Sequence, residues 1–328
     1  MSIYFGRKPC QNRSARYIFL PENDVAKIVQ ILPYLMSCFG PRWHLPHWSS
    51  WHPPENLVMG TGSANAVPHQ PGVYRIRSTD PHRMAYFGES DDLAGRLVGD
   101  WSGVNELVRT SAKTSDGPIQ FLASKRSSVG SYEASWAADP GPLPYDLTDK
   151  REREALERCL GWLCRKRAGV SPLANYSRSG QGHRLLRRDD EYTGKSWSIS
   201  TGALCPQSRP PHSTVWMGRR WTNLISHGEL KRGLTTCLQR RYRKYPALYK
   251  ILSATLDELL MVGFRQSARE GLLEVLRKLP GRPVGAWSPL PEFSLTCHCY
   301  ELRADLVGAH YCCSGKVPRY RWKGTLDG

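Results

Sequence analysis

Tyr74, Tyr86, Arg96 and Glu157 are the side chains in this sequence whose types and spacing could act together on a phosphate ester. Hydrolysis of such an ester asks for a Lewis-acidic metal held by a carboxylate. It also asks for a cation against the charge growing on the phosphoryl oxygens and for a group that takes a proton from water. Glu157 is the candidate ligand and Arg96 the candidate cation. The two phenols can orient a water and a phosphate oxygen, provided that all four side chains converge and the phenols are not sealed in the interior.

The elements that must position them are legible. GVYRIR (72–77) and RMAYFG (83–88) read as strands, with the turn residues STDPH between them. A turn centred on Asp80 sets Tyr74 directly opposite Tyr86, with Cβ atoms about 5 Å apart. Ser90 then caps a helix with Asp91 and Asp92 in its first turn, where carboxylates suit the positive helix end. Leu93, Leu97 and Trp101 form its buried stripe, and Arg96 projects from it. Residues 119–124 and 131–137 read as further strands. A helix over 148–167 carries Glu157 and stops at Gly169, with Pro172 beyond. Spacing alone leaves plainer roles open: paired tyrosines as packing, Arg96 in an i±4 pair with Asp92 or Asp100, and Glu157 in a pair with Arg153 or in solvent.

The ordered set Gly72-Val73-Tyr74, Tyr86-Phe87-Gly88 and Glu89 through Leu97 resembles the GIY-YIG nuclease family. The resemblance continues at Ala155-Leu156-Glu157-Arg158 and at Gly169 through Asn175, so that it spans about 71–178. It implies an α+β fold, a small antiparallel or mixed sheet flanked by helices. It further implies that Tyr74 is or assists the general base, that Tyr86 helps to hold nucleophile and phosphate, and that Arg96 contacts the scissile phosphate. Glu157 would bind one Mg²⁺ (or Mn²⁺), while Gly72, Gly88 and Asn175 shape the surroundings. Asp100 stands where family members often have His or Tyr, and Glu89 replaces a usual Lys; both changes remove potential phosphate contacts.

Composition agrees with a polyanionic partner. Lys and Arg outnumber Asp and Glu by 46 to 29 over 328 residues, for a net charge of +17. Between 206 and 250 the basic residues Arg219, Arg220, Lys231, Arg232, Arg240, Arg241, Arg243 and Lys244 interleave with Trp216, Trp221, Tyr242 and Tyr245. That pattern suits a surface that tracks phosphates and stacks on bases, and a solvated helix face is the plainer alternative. The expected substrate is DNA, with RNA not excluded. The sequence has no apolar run of about 18 residues and no signal-peptide pattern, so a cytoplasmic protein without membrane contact is expected.

The chain contains a second, worn copy of the motif. Pro246 through Ile251 echoes Pro71 through Ile76, and Tyr249 and Gly263 are spaced as Tyr74 and Gly88. Leu306 to Gly315 followed by Pro318 repeats the spacing of Leu160 to Gly169 followed by Pro172. Met261 takes the place of Tyr86 and Arg303 that of Glu157, so this copy should bind nucleic acid or pack without a metal. The expected organisation is an N-terminal segment of unclear role (1–70) and a catalytic unit (71–180). A linker (181–215) and the degenerate unit (216–328) follow. A helix is expected at 22–38, and Trp43, Trp48 and Trp51 are expected to cover a core, with base stacking as the alternative. Cys297, Cys299, Cys312 and Cys313 cluster with His298 and His310. The Cys297-x-Cys299 pair reads as strand and lacks C-x₂₋₄-C spacing, so zinc is not expected. One site makes one cut, so a double-strand break would call for a homodimer.

Overall fold

The computed structural model describes residues 46–79, 82–105, 122, 131–138, 146–168, 172, 209–231, 246–265, 268–290 and 296–320. The helix expected at 22–38, Trp43 and most of 119–124 lie outside these residues. So do Asn175, Arg232, Arg240, Arg241, Arg243 and Lys244.

The alternation of buried Tyr74 and Ile76 with Arg75 and Arg77 yields strand β1 (Gly72–Thr79), paired antiparallel with β2 (His82–Ser90). Strand β3 (Tyr132–Ala137) lies on the other side of β1, giving the order β2-β1-β3. The expected register is corrected by two residues: Tyr74 pairs with Gly88, and Tyr86 with Ile76. A bulge between Ile76 and Arg77 makes room for Ala85 as an extra residue, and Thr79 pairs with His82, which moves the centre of the hairpin off Asp80. Because a shift of two preserves the side-chain period of a strand, the two phenols still share a face.

The stretch at Trp48–His52 is part of this sheet's edge. Ser49 N–H donates to Trp136 O (2.8 Å), and His52 and Ala134 exchange backbone bonds of 3.0 and 2.7 Å. The Arg75 guanidinium lies 4.4 Å from the Trp48 ring and 4.3 Å from the Trp51 ring, and Arg77 lies 4.3 Å from the Trp51 ring. Of the tryptophans expected to cover a core, Trp48 packs against the apolar cluster, and Trp51 stacks on the two arginines.

After β2 the chain makes a π-helical turn, Gly95–Asp100, where an ordinary α-helix was expected. Its signature is the bond from Trp101 N–H to Arg96 O (3.2 Å), five residues apart. Leu93, Leu97 and Trp101 are fully buried, as the stripe requires. Helix α1 (Lys150–Ala168) is capped by Asp149, whose carboxylate accepts from Arg151 N–H (2.7 Å).

The second half comprises β4 (Ile225–Ser226), α2 (His227–Lys231), β5 (Ala247–Leu252), β6 (Leu259–Arg265), α3 (Ala268–Lys278), β7 (Val284–Pro289) and α4 (Thr296–Ser314). Its antiparallel sheet has the order β6-β5-β7-β4. Tyr249 lies between Gly263 and Trp287, as Tyr74 lies between Gly88 and Trp136. Trp287 N–H donates to Thr222 Oγ1 (3.1 Å), and Trp136 N–H to Ser49 Oγ (3.0 Å). Lys250, one residue after Tyr249, lies 4.7 Å from the Trp221 ring, just as Arg75 rests on Trp48. Cys297 and Cys299 belong to helix α4, which corrects the strand expected there. Cys299 and Cys312 stand thirteen positions apart on this helix, about 20 Å at 1.5 Å per residue.

The whole is a mixed α+β protein of small antiparallel sheets and few helices. Helices α1 and α4 pack on each other inside one apolar cluster that includes Val73 and Phe87 from the first sheet and Leu248 and Val262 from the second. At their crossing a Cβ on Gly308 would lie 2.6 Å from the Arg158 backbone, so only glycine permits the approach. The buried Arg165 guanidinium bridges Glu301 (3.0 Å) and Asp305 across this contact. Burial pushes the Asp305 carboxyl up to about 7, against the pull of Arg165.

Candidate active site

Tyr74 is 1 % exposed, and its hydroxyl accepts a hydrogen bond from Arg96 Nε at 3.0 Å. The phenol can lie across the neighbouring strand only because residue 88 has no side chain. A Cβ there would sit 2.5 Å from Tyr74 Oη and 2.7 Å from Cε1. Gly72 answers a similar demand, since a Cβ would meet Ala137 O at 2.5 Å and Leu93 Cδ1 at 2.6 Å. Tyr86 packs its ring 5.9 Å from that of Tyr74 and 5.6 Å from Trp101, while Trp101 approaches Tyr74 edge-on at 6.3 Å.

Arg96 leaves the π-helical turn with its Nη1 on Asp100 Oδ2, 2.5 Å away and four residues on. Glu157, on α1, is 7 % exposed and close enough for its charge to act on the Tyr74 phenol. Burial is the main influence on that phenol and raises its pKa; Arg96 and Trp101 oppose the rise, and Glu157 adds to it. The structure therefore brings Tyr74, Tyr86 and Arg96 into contact and sets Glu157 within electrostatic reach. The expectation of phenols open to solvent is not met: Tyr74 and Tyr86 are 1 % and 4 % exposed. Trp101 walls them on one side, and the Arg96 side chain, 24 % exposed, lies at the Tyr74 hydroxyl.

What holds α1 in place escaped the sequence reading. Arg153, 1 % exposed, ion-pairs with Glu89 (3.3 Å) and Asp91 and donates to the carbonyls of Leu147 (2.7 Å) and Thr148 (2.9 Å). Glu89 thus has a structural task, tying the end of β2 to α1 one helical turn before Glu157. The available signal was a charge exchange: the acid Glu89 in place of an expected Lys, matched by Arg153 four residues ahead of Glu157. A second overlooked pair is His69 with Asp92 (3.1 Å), at the start of the π-helical turn. Backbone N–H groups, Gly95 first, hold the Asp92 carboxyl below its ordinary value.

Of the basic residues expected to bind nucleic acid, Arg219 donates to Ser288 Oγ (3.3 Å) and Pro289 O (3.5 Å), whereas Arg220 and Lys231 are exposed. Among the described residues no group of three or more His, Cys, Asp or Glu could hold a metal. No helix among them is long and apolar enough to cross a membrane. No family model, curated protein or solved structure matches the chain.

Proposed function

We propose that the protein is a metal-dependent endonuclease of GIY-YIG type that hydrolyses DNA phosphodiester bonds, one cut per active site. The observation that carries this reading is the Arg96–Tyr74 hydrogen bond at 3.0 Å with the Glu157 charge acting on the same phenol. Restriction, repair or mobile-element processing are the settings such an activity serves.

Arg96 would bind the scissile phosphate, and its guanidinium suits the charge that grows on the phosphoryl oxygens. Tyr74 would take or relay the proton of the attacking water, with Tyr86 and Trp101 fixing its ring. Glu157 would hold one divalent ion, Mg²⁺ or Mn²⁺, which supplies Lewis-acid polarisation. A single carboxylate fits that duty, because Mg²⁺ keeps several waters and commonly takes one or two carboxylates together with substrate phosphate.

The second half is best read as a degenerate tandem copy. The matched neighbours of Tyr74 and Tyr249 support this, as do two 19-residue helices in which Glu157 and Arg303 hold the same position. Arginine cannot hold a cation, so this half would grip DNA and complete the core. The rival reading is a DNA-binding protein without catalysis, and the sealed phenols favour it. Incubation with supercoiled plasmid and Mg²⁺ separates the two: nicking supports the nuclease, and binding without cleavage across several pH values refutes it. Matched DNA and RNA duplexes decide the substrate.

A further inference from the structure

We infer that Asp100 holds Arg96 in place of the scissile phosphate, and that DNA enters by displacing this carboxylate from the guanidinium. The inference rests on the nuclease reading and extends it to how the site is closed before substrate arrives.

A guanidinium offers flat, paired donors that accept a carboxylate or a phosphate in the same geometry. In Arg96, Nε is given to Tyr74 (3.0 Å) and Nη1 to Asp100 (2.5 Å). A phosphodiester oxygen arriving at Nη1 must therefore share that donor with Asp100 or replace it. The carboxylates of Asp92, Glu157 and Asp100 differ in freedom to move. Asp92 is tied to His69 and to backbone N–H groups of its own turn. Glu157 is 7 % exposed. Asp100, at the end of the π-helical turn, has a side chain 52 % exposed. It can swing into water at small cost, because a half-exposed i,i+4 pair is weak. Movement of the Arg96 side chain toward a phosphate would also uncover the Tyr74 hydroxyl beneath it. One displacement thus seats the phosphate and opens the phenol, which reconciles sealed rings with catalysis.

The test is a double-mutant cycle read by binding, so that cleavage is not required. Fluorescence anisotropy with a labelled DNA duplex, in EDTA at low salt, is measured for wild type, Asp100→Asn, Arg96→Gln and the double variant. Beyond the effect of removing any one exposed acid, Asp100→Asn is expected to tighten Kd about two- to fivefold in the presence of Arg96 and to add nothing when Arg96 is Gln. Glu258→Gln, in the turn between β5 and β6, sets the effect of removing any one exposed acid. Equal tightening by Asp100→Asn with and without Arg96, or tightening that merely equals the Glu258→Gln effect, overturns the displacement; so does a Kd that does not tighten. If wild type itself fails to bind DNA, the nuclease reading falls and this inference falls with it. Binding with an additive cycle sinks the inference alone.

Discussion

Replacing Gly88 with alanine probes the site through a single methyl group, and Gly263 supplies its control. At Gly88 the new Cβ would lie 2.5 Å from Tyr74 Oη and 2.7 Å from Cε1, about 1 Å inside ordinary contact. The phenol cannot retreat freely, because Tyr86 and Trp101 pack it at 5.9 and 6.3 Å. Overpacking of this kind costs roughly 1–3 kcal/mol, and losing the bond from charged Arg96 adds about 1.5–3 kcal/mol. A fall in Tm of roughly 5–10 °C follows for a chain of this size. A displacement near 1 Å at the reacting groups costs on the order of 10²-fold in rate. Gly263→Ala meets the same obstacle, its Cβ 2.5 Å from Tyr249 Cε2, but in the half to which the proposal gives no catalytic role. It should lose stability and keep most of its cutting rate per folded molecule. Gly99→Ala, where nothing lies within 4 Å, should change little. The assay is thermal unfolding beside plasmid nicking below every variant's Tm. A Gly88→Ala protein with wild-type Tm and rate refutes the reasoning, and so does equal loss of activity in the Gly88 and Gly263 variants.

Three further outcomes are expected. Since burial raises the Tyr74 pKa, the phenol stays protonated near neutrality; if its ionised form is the base, log kcat should climb with slope near one from pH 6 to 9, and a plateau near 7 would exclude that role. Arg153→Met strands the buried Glu89 carboxylate and should cost about 3–5 kcal/mol in urea unfolding, with partial recovery in Arg153→Met/Glu89→Gln. Lys250 is pushed down to about 7 by burial, so the unfolded chain binds more protons between that pH and the ordinary lysine range. Its contribution to stability therefore improves as pH rises through the window, by at most about 1.4 kcal/mol per pH unit, and Lys250→Met should flatten the dependence of the urea midpoint on pH.

Local pattern carried the hairpin, the strand at 131–137 and the helix bearing Glu157, because each has a clear apolar period and turn or capping residues at its ends. The register was not legible, since the bulge at Ala85 has no sequence signature stronger than a small residue in a strand. Sealing of the phenols was equally invisible. It depends on Trp101 folding back through a π-helical turn, whereas its place in the buried stripe looked the same as in an α-helix. Trp48 and Trp51 are far in sequence from the Arg75 and Arg77 they cover, so only tertiary structure joins them. At α4, local alternation around Cys297 and Cys299 suggested strand. The long helix packs against α1, and tertiary context prevailed.

The central claim is that Glu157 holds the ion on which cleavage depends, beside a guanidinium that binds phosphate. Glu157→Gln keeps the side chain's size and removes its charge, so one comparison suffices: nicking of supercoiled plasmid with Mg²⁺, beside DNA binding by the same preparation. Nicking by wild type, its loss in the variant and unchanged affinity are the predicted result. A variant that cuts as fast as wild type contradicts the account.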